Sequence, residues 1–382
     1  MKVALAHDYL REYGGAERVL EALHEIFPNA PVFTAYVNSE AMGENGKRFK
    51  DWDIRPAWFQ NFPFANQLLS PFRIFGPMMF ESFDLSEYDL VISSSSATHL
   101  AKAVITKPET LHISYIHTPP RFLYGYVTSF NYKKHWWTRI GGEIVNHFMR
   151  IYDFETSQRP DILIANSKNI QERIKKFYRR DSVVIYPPVD LKEFRIKNSE
   201  LRIKDRKYFL VLSRLVRGKG VDVAVEACGR LRLPLKVAGS GPELENLKKL
   251  AVTYNLKPET FLGWVSDEER VKLLQNAKAL IVASEDEDFG ITSIEAQAAG
   301  TPVIAPASGG FLETVADGKT GILYGGPGQV DVDSLISILQ RFNDLNHDIR
   351  AEDCRENAQN FSKERFKKEI LELIEKNLTP HH

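Results

Sequence analysis

Short apolar runs punctuate the chain, separated by longer stretches in which apolar residues recur every three or four positions. In the first half these runs are Val3–Ala6, Val32–Val37, Leu90–Ser94, Leu111–Ile116, Ile162–Ala165 and Val183–Tyr186. Runs of four to six without alternation read as strands covered on both faces, and strands interleaved with helices imply a parallel sheet. A linker is expected near residues 187–205, after Pro187-Pro188-Val189-Asp190 and through a charged stretch that ends at Lys207. The rhythm then restarts with Tyr208–Ser213, Leu235–Ala238, Thr260–Leu262, Ala279–Ala283 and Pro302–Ala305, and helices are expected at Val221–Leu231, Glu243–Tyr254 and Asp267–Gln275. The expected fold class is α/β, with two Rossmann-like domains whose parallel sheets face a central cleft. The first spans 1–188 and the second 189–361, and a last helix at 362–378 crosses back onto the first.

With 382 residues the chain exceeds what one hydrophobic core organises, in keeping with two domains. Hydrophobic residues at 43% and charged residues at 26% exclude disordered and fibrous classes. Cys228 and Cys354 lack metal-ligand or redox spacing, so a reducing compartment is expected. The opening apolar run is too short for a signal peptide, and no stretch approaches a membrane span, which points to a cytoplasmic location. Charge is balanced overall, but residues 101–180 hold 14 Lys/Arg against 6 Asp/Glu. Within them, Lys133-Lys134-His135-Trp136-Trp137 with Arg139, and Lys175, Lys176, Arg179 and Arg180, mix cations with amphipathic rings. That suits peripheral contact with an anionic membrane on its inner face through 133–139 and 175–180, and it equally suits a solvated helix face. No groove-reading motif supports nucleic-acid binding.

In open parallel sheets ligands bind beyond the carboxyl ends of the strands, so the residues after each apolar run carry the chemistry. After the first run stand Asp8, Tyr9, Gly14 and Gly15, with paired glycines at the start of a helix. This is a weak anion-site signal that a plain tight turn also satisfies, and it is not the G-x-G-x-x-G of a dinucleotide enzyme. After the first run of the second half stand Arg214 and Lys219, five apart and able to converge on one diphosphate. Gly239 ends the next strand, where turn chemistry alone accounts for it. The richest stretch is Ser284-Glu285-Asp286-Glu287-Asp288-Phe289-Gly290-Ile291-Thr292-Ser293-Ile294-Glu295, which leads to Ala299-Gly300-Thr301-Pro302. Glu287 falls in a loop and Glu295 in the opening turns of a helix that begins near Thr292, so both carboxylates are expected to reach one bound nucleotide sugar.

The E-x7-E spacing of Glu287 and Glu295 with the Ala-Gly-Thr-Pro turn resembles the signature of the retaining GT-B glycosyltransferases of family 4, the "group 1" glycosyl transferases. Arg214 with Lys219 is similar to the diphosphate pair of that family. Tyr115-Ile116-His117-Thr118-Pro119-Pro120-Arg121 resembles a segment of its bacterial mannosyltransferase-like members. The chain departs from the family pattern at Asp288, where a glycine is usual.

The resemblance implies a metal-independent transferase without a cofactor, in which nucleotide-diphosphate sugar is the donor substrate and a glycan or lipid-linked molecule the acceptor. Glu287 would take donor-sugar hydroxyls and Glu295 ribose hydroxyls. The backbone near Phe289, Gly290, Ile291 and Thr292, with Gly239 beneath, would hold sugar and phosphate. Arg214 and Lys219 would neutralise the leaving diphosphate, and Gly15 would close its other side. His117 would contact the donor sugar, while Asp8, Tyr9, Gly14 and Arg121 lie on the acceptor side. GDP-mannose is the first donor expected, and use in cell-envelope polysaccharide or glycolipid synthesis follows. A UDP-sugar transferase and a non-catalytic nucleotide-sugar-binding subunit are the alternatives. A glycosidase would use the two glutamates as acid and nucleophile but would give the basic pair no task. Metal-assisted transfer through Asp286 and Asp288 is the remaining rival.

Overall fold

The structure, a computed structural model, describes residues 1–69, 71–96, 100–126, 136–194, 203–326, 330–345 and 349–378. The described residues up to Pro188, together with those from Glu364, form one compact unit, and Val189 through Lys363 form a second.

The first unit is built on a seven-stranded parallel sheet in the order β3-β2-β1-β4-β5-β6-β7. Its strands are β1 (Val3–His7), β2 (Val32–Thr34), β3 (Ile54–Pro56), β4 (Leu90–Ser95), β5 (Leu111–Ile116), β6 (Ile162–Ala165) and β7 (Val183–Val184). The central strands β1, β4, β5 and β6 are buried on both faces, and their apolar runs also carry the buried polar residues His7, Ser93, Ser94, Ser95, His112 and Ser114. Strand β3 escapes sequence reading because Ile54-Arg55-Pro56 is short, charged and at the sheet edge, where proline and arginine are tolerated.

Some helix starts are fixed by a side-chain cap. Ser167 accepts the Ile170 N–H at 3.1 Å ahead of the Lys168–Tyr178 helix. The Lys363–Leu378 helix places Phe366, Ile370 and Ile374 four residues apart on one face, and they enter the same core as Leu5, Leu20, Tyr115 and Ile164.

The second unit has a six-stranded parallel sheet in the order β10-β9-β8-β11-β12-β13. Its strands are β8 (Tyr208–Leu212), β9 (Leu235–Ala238), β10 (Phe261–Gly263), β11 (Ala277–Ile281), β12 (Val303–Pro306) and β13 (Gly321–Tyr324). Edge strand β13 is the one the sequence pattern does not announce, because it is only four residues long and follows closely on the turn at Asp317. Ser266 and Glu269 cap the Asp267–Asn276 helix reciprocally: Ser266 Oγ accepts the Glu269 N–H at 3.3 Å and Glu269 accepts the Ser266 N–H at 3.0 Å. Each sheet reverses its winding once, between β1 and β4 in the first unit and between β8 and β11 in the second, and the crevice beyond such a reversal is where ligands bind.

Candidate active-site residues of the two units

The second unit gathers its chemistry beyond β8 and β11. The turn after β8 carries Arg214 and Lys219, and the loop after β11 carries Ser284 through Gly290, followed by the Ile291–Ala298 helix. Lys219 Nζ donates to Glu287 Oε2 at 2.8 Å, and the Ser284 hydroxyl donates to the same oxygen at 2.7 Å. Both charged side chains are partly open, 30% for Lys219 and 20% for Glu287, so a ligand can compete for either. Arg214 stands exposed on the same turn. The structure thus joins Lys219 to Glu287, a contact across 68 residues that spacing alone does not reveal.

The loop bearing Glu287 is held from below. Gly310 N–H donates to the Glu287 carbonyl at 2.9 Å, and a Cβ at Gly310 would lie 2.4 Å from Phe289 Cα, so only glycine lets the two segments approach. Phe289 is buried and meets Phe361 edge-on at 5.6 Å, which anchors the loop while its backbone leads into the helix. The first amides of that helix, at Ile291 and Thr292, lie beyond the reach of intrahelical acceptors and point out of its positive end.

Glu295 is 2% exposed, and its Oε1 lies 3.3 Å from Arg270 Nη1. The same guanidinium reaches Glu193 at 2.9 Å and Asp267 at 3.3 Å. Sequence reading missed Arg270, because beside Asp267 it looks like an ordinary surface pair along a helix.

One donor-side candidate has a structural role of its own. Gly239 gives its N–H to the Gly263 carbonyl at 2.7 Å, adopts φ +143°, and would bring a Cβ within 1.9 Å of Ser213 O. Its glycine is required by strand-end geometry, and its amide is not offered to a donor.

In the first unit the candidates lie beyond β1, β4 and β5. His117 follows β5, is half-buried, and has its Nε2 2.9 Å from Ser94 Oγ on β4. Burial, and next the neighbouring His7, push this imidazole down to about 3, so it is neutral under ordinary conditions. Arg121 is half-buried, and its carbonyl accepts from Tyr124 N–H at 3.3 Å and Tyr126 N–H at 3.1 Å. Tyr9 directs its hydroxyl to Glu12, and burial followed by that carboxylate raises its pKa. Gly15 is the first residue of the Gly15–Ile26 helix.

Two acceptor-side candidates have partners within the protein. Asp8 is fully buried: Oδ1 accepts Ala101 N–H at 2.8 Å, and Oδ2 accepts Ser96 N–H at 3.0 Å and its hydroxyl at 3.2 Å. It ties down the chain that leaves β4, because buried amides there need an acceptor. Gly14 gives its N–H to Glu17 Oε2 at 2.8 Å, so this amide is taken by a carboxylate of the protein itself.

Of the basic stretches, residues 133–135 lie outside the described residues, as do the side chains of 136–139. Lys175, Lys176 and Arg179 are exposed. Arg180 is a correction: its guanidinium is taken by the carbonyls of Ser157, Pro160 and Asp161, closing the turn before β6, and is not presented to headgroups. Among the described residues no helix is long and apolar enough to cross a membrane, and no group of three His, Cys, Asp or Glu is placed to hold a metal ion.

Two parallel α/β units, each with polar residues beyond its reversal point, define a protein of the two-Rossmann class. Residues 13–193 match the model of "Glycosyltransferase Family 4" and residues 192–361 that of "Glycosyl transferases group 1", so the chain belongs to this glycosyltransferase family. It is 29% identical over 211 residues to the alpha-1,3/1,6-mannosyltransferase ALG2 of Dictyostelium discoideum, covering 45% of this chain and 50% of the relative. It is 28% identical over 250 residues to a D-inositol 3-phosphate glycosyltransferase of Corynebacterium urealyticum, covering 59% and 58% respectively. The chain thus spans about half the length of the curated relatives it matches. Anabaena HepE in complex with UDP-glucose superposes with a TM-score of 0.70 at 19% identity, over 98% of this chain and all of that one, which shows the GT-B fold.

Proposed function

We propose that this protein is a retaining glycosyltransferase that moves a hexose, with mannose from GDP-mannose as first candidate, onto a lipid-linked or glycan acceptor. The observation that carries the reading is the Lys219–Glu287 pair at 2.8 Å beside the open end of the Ile291–Ala298 helix, beyond the β8/β11 reversal. Donor binding exchanges this pair: the diphosphate takes the ammonium and sugar hydroxyls take the carboxylate. Arg214 adds a planar cation, the helix amides face the phosphate, and Glu295, held by Arg270, takes the ribose hydroxyls. His117 contacts the sugar. The bond from the anomeric carbon to phosphate breaks while the acceptor hydroxyl attacks on the same face, and its proton passes to the departing phosphate oxygen. No protein nucleophile is needed, and charge growing on the diphosphate meets positioned cations.

A relative named as a mannosyltransferase supports mannose, whereas a neighbour holding UDP-glucose keeps uridine donors in view. A panel of GDP- and UDP-sugars, read by release of nucleoside diphosphate in the presence of membrane lipids or short glycans, tests the choice. Acceptor-dependent release from GDP-mannose, unchanged by excess EDTA, is expected. No release from any donor sinks transfer, and loss in EDTA sinks the metal-free step.

A lipid-borne acceptor is supported by the Trp136–Thr156 helix. It buries Asn146, Met149 and Asp153 but turns Ile144, Phe148, Ile151 and Tyr152 outward, with Ile144 57% and Phe148 52% exposed. An apolar stripe on the wet side of a helix, with Lys175, Lys176 and Arg179 elsewhere on the unit, suits the interface of an anionic bilayer. Ile144→Ser with Phe148→Ser should abolish most sedimentation with vesicles containing phosphatidylglycerol. Equal sedimentation of the variant removes this support.

A further inference from the structure

Behind His117 the first unit carries a line of polar groups that runs into its core. His117 Nε2 lies 2.9 Å from Ser94 Oγ, which lies 3.1 Å from His7 Nδ1, and His7 Nε2 makes a longer contact of 3.5 Å with Glu17 Oε1. The line ends where Glu17 Oε2 accepts the Gly14 N–H at 2.8 Å. His7 and Ser94 are fully buried and Glu17 is 5% exposed. Sheet register sets the alignment: His7 on β1 pairs with Ser94 on β4, which in turn pairs with Tyr115 on β5, two residues before His117.

Buried polar groups need partners, so the protons along this line are not free to choose their places. A carboxylate only accepts, and Glu17 therefore draws the His7 proton to Nε2. With that proton on Nε2, Nδ1 of His7 accepts, and the Ser94 hydroxyl supplies the hydrogen. The Ser94 oxygen is then the acceptor for His117, whose proton must sit on Nε2. Among the described residues, Nδ1 of His117 has no hydrogen-bond partner, so its lone pair faces away from the line. Burial above all holds the ring neutral, which makes the choice between two tautomers the quantity that matters.

We propose that Glu17, His7 and Ser94 are positioning residues that fix His117 as its Nε2–H tautomer, so that Nδ1 accepts a hydrogen bond from a hydroxyl of the donor sugar. The proposal rests on the reading above, in which His117 contacts that sugar. A hydroxyl giving its hydrogen to Nδ1 gains electron density on oxygen, the sign wanted beside a ring that turns positive as the phosphate leaves. The opposite tautomer would give a hydrogen to that oxygen and withdraw density from it. A proton on Nδ1 of His7 would reverse the two bonds through Ser94 and leave His117 as Nδ1–H, so the tautomer reports the direction of the line.

Nitrogen-15 correlation spectra of the full chain labelled at its 10 histidines read the tautomer directly, with the His117 signals assigned by their loss in His117→Gln. The wild type should show Nε2–H at His117. Ser94→Ala should give a tautomer mixture and a kcat lower by roughly tenfold to a hundredfold, with donor KM changed less. Glu17→Gln, whose amide can offer an N–H to His7, should lose the pure Nε2–H signature without a volume change. An Nδ1–H ring in the wild type, or a tautomer and kcat indifferent to both substitutions, overturns the relay. Normal transfer by His117→Ala overturns instead the functional reading, and with it the catalytic half of the proposal. The spectra need no donor, so the two failures are told apart.

Discussion

Glu287→Ala is expected to lower transfer from the preferred donor roughly 100- to 1000-fold, and Lys219→Met by a similar factor, the range seen when one preorganised group facing developing charge is removed. The two side chains share a single 2.8 Å contact, with Ser284 Oγ 2.7 Å from the same carboxylate oxygen. Their separation into distinct tasks should appear in the kinetics. Lys219 meets the diphosphate both in the bound donor and, more strongly, as the bond breaks, so Lys219→Met should raise donor KM and lower kcat. Glu287 meets the sugar, so its loss should fall mainly on kcat and relax the discrimination between donor sugars. Neither change should disturb the fold much, because a partly exposed ion pair contributes about 0–1 kcal/mol. The check is kcat and KM with a thermal midpoint for each variant. A midpoint many degrees lower, with activity tracking the folded fraction, would make the pair structural and remove the observation on which the proposed reaction stands.

The architecture was legible because parallel strands buried on both faces leave unbroken apolar runs. β5, β6 and β9 coincide with runs read from the sequence, and the misses, β3 and β13, are short edge strands. The loop chemistry was legible in part. Spacing on the two sides of Gly290 put Glu287 in a loop and Glu295 in a helix, and the helix does begin one residue after that glycine.

Spacing could not reveal contacts between segments. That Lys219 reaches Glu287, that Arg270 gathers Glu193 and Glu295, and that Gly310 supports the Glu287 carbonyl all depend on chain separations of 23 to 77 residues. Spacing was also silent on what Asp8 and Gly14 do within the protein. The backbone beyond a strand end has amides of its own to satisfy, and Asp8 and Glu17 serve them. Glu17 stands three residues after Gly14, the spacing of a helix-start acid, so the signal was present in the sequence.

His117→Ala is expected to lower kcat roughly 100-fold, with a smaller change in donor KM, if the ring acts on the sugar as the glycosidic bond to phosphate breaks. The structure gives the ring what such a role needs. Its Nε2 is fixed by Ser94, and burial above all pushes its pKa down to about 3, so protonation does not remove the Nδ1 lone pair near neutral pH. Activity should accordingly show no acid limb between pH 5 and pH 7 that is lost in His117→Ala, since a group pushed that far down has finished titrating well below this window. Comparison with Ser94→Ala carries the argument further. If Ser94 acts only through the ring, then once His117 is gone its removal has nothing left to misalign, and the double variant should be no slower than His117→Ala alone. Two losses that multiply would mean that Ser94 and His117 serve separate ends, Ser94 as part of the β1–β4 core and His117 by itself. Rates for the four proteins at saturating donor, set beside their thermal midpoints, decide between a line of groups acting as one and a set of neighbours that happen to touch.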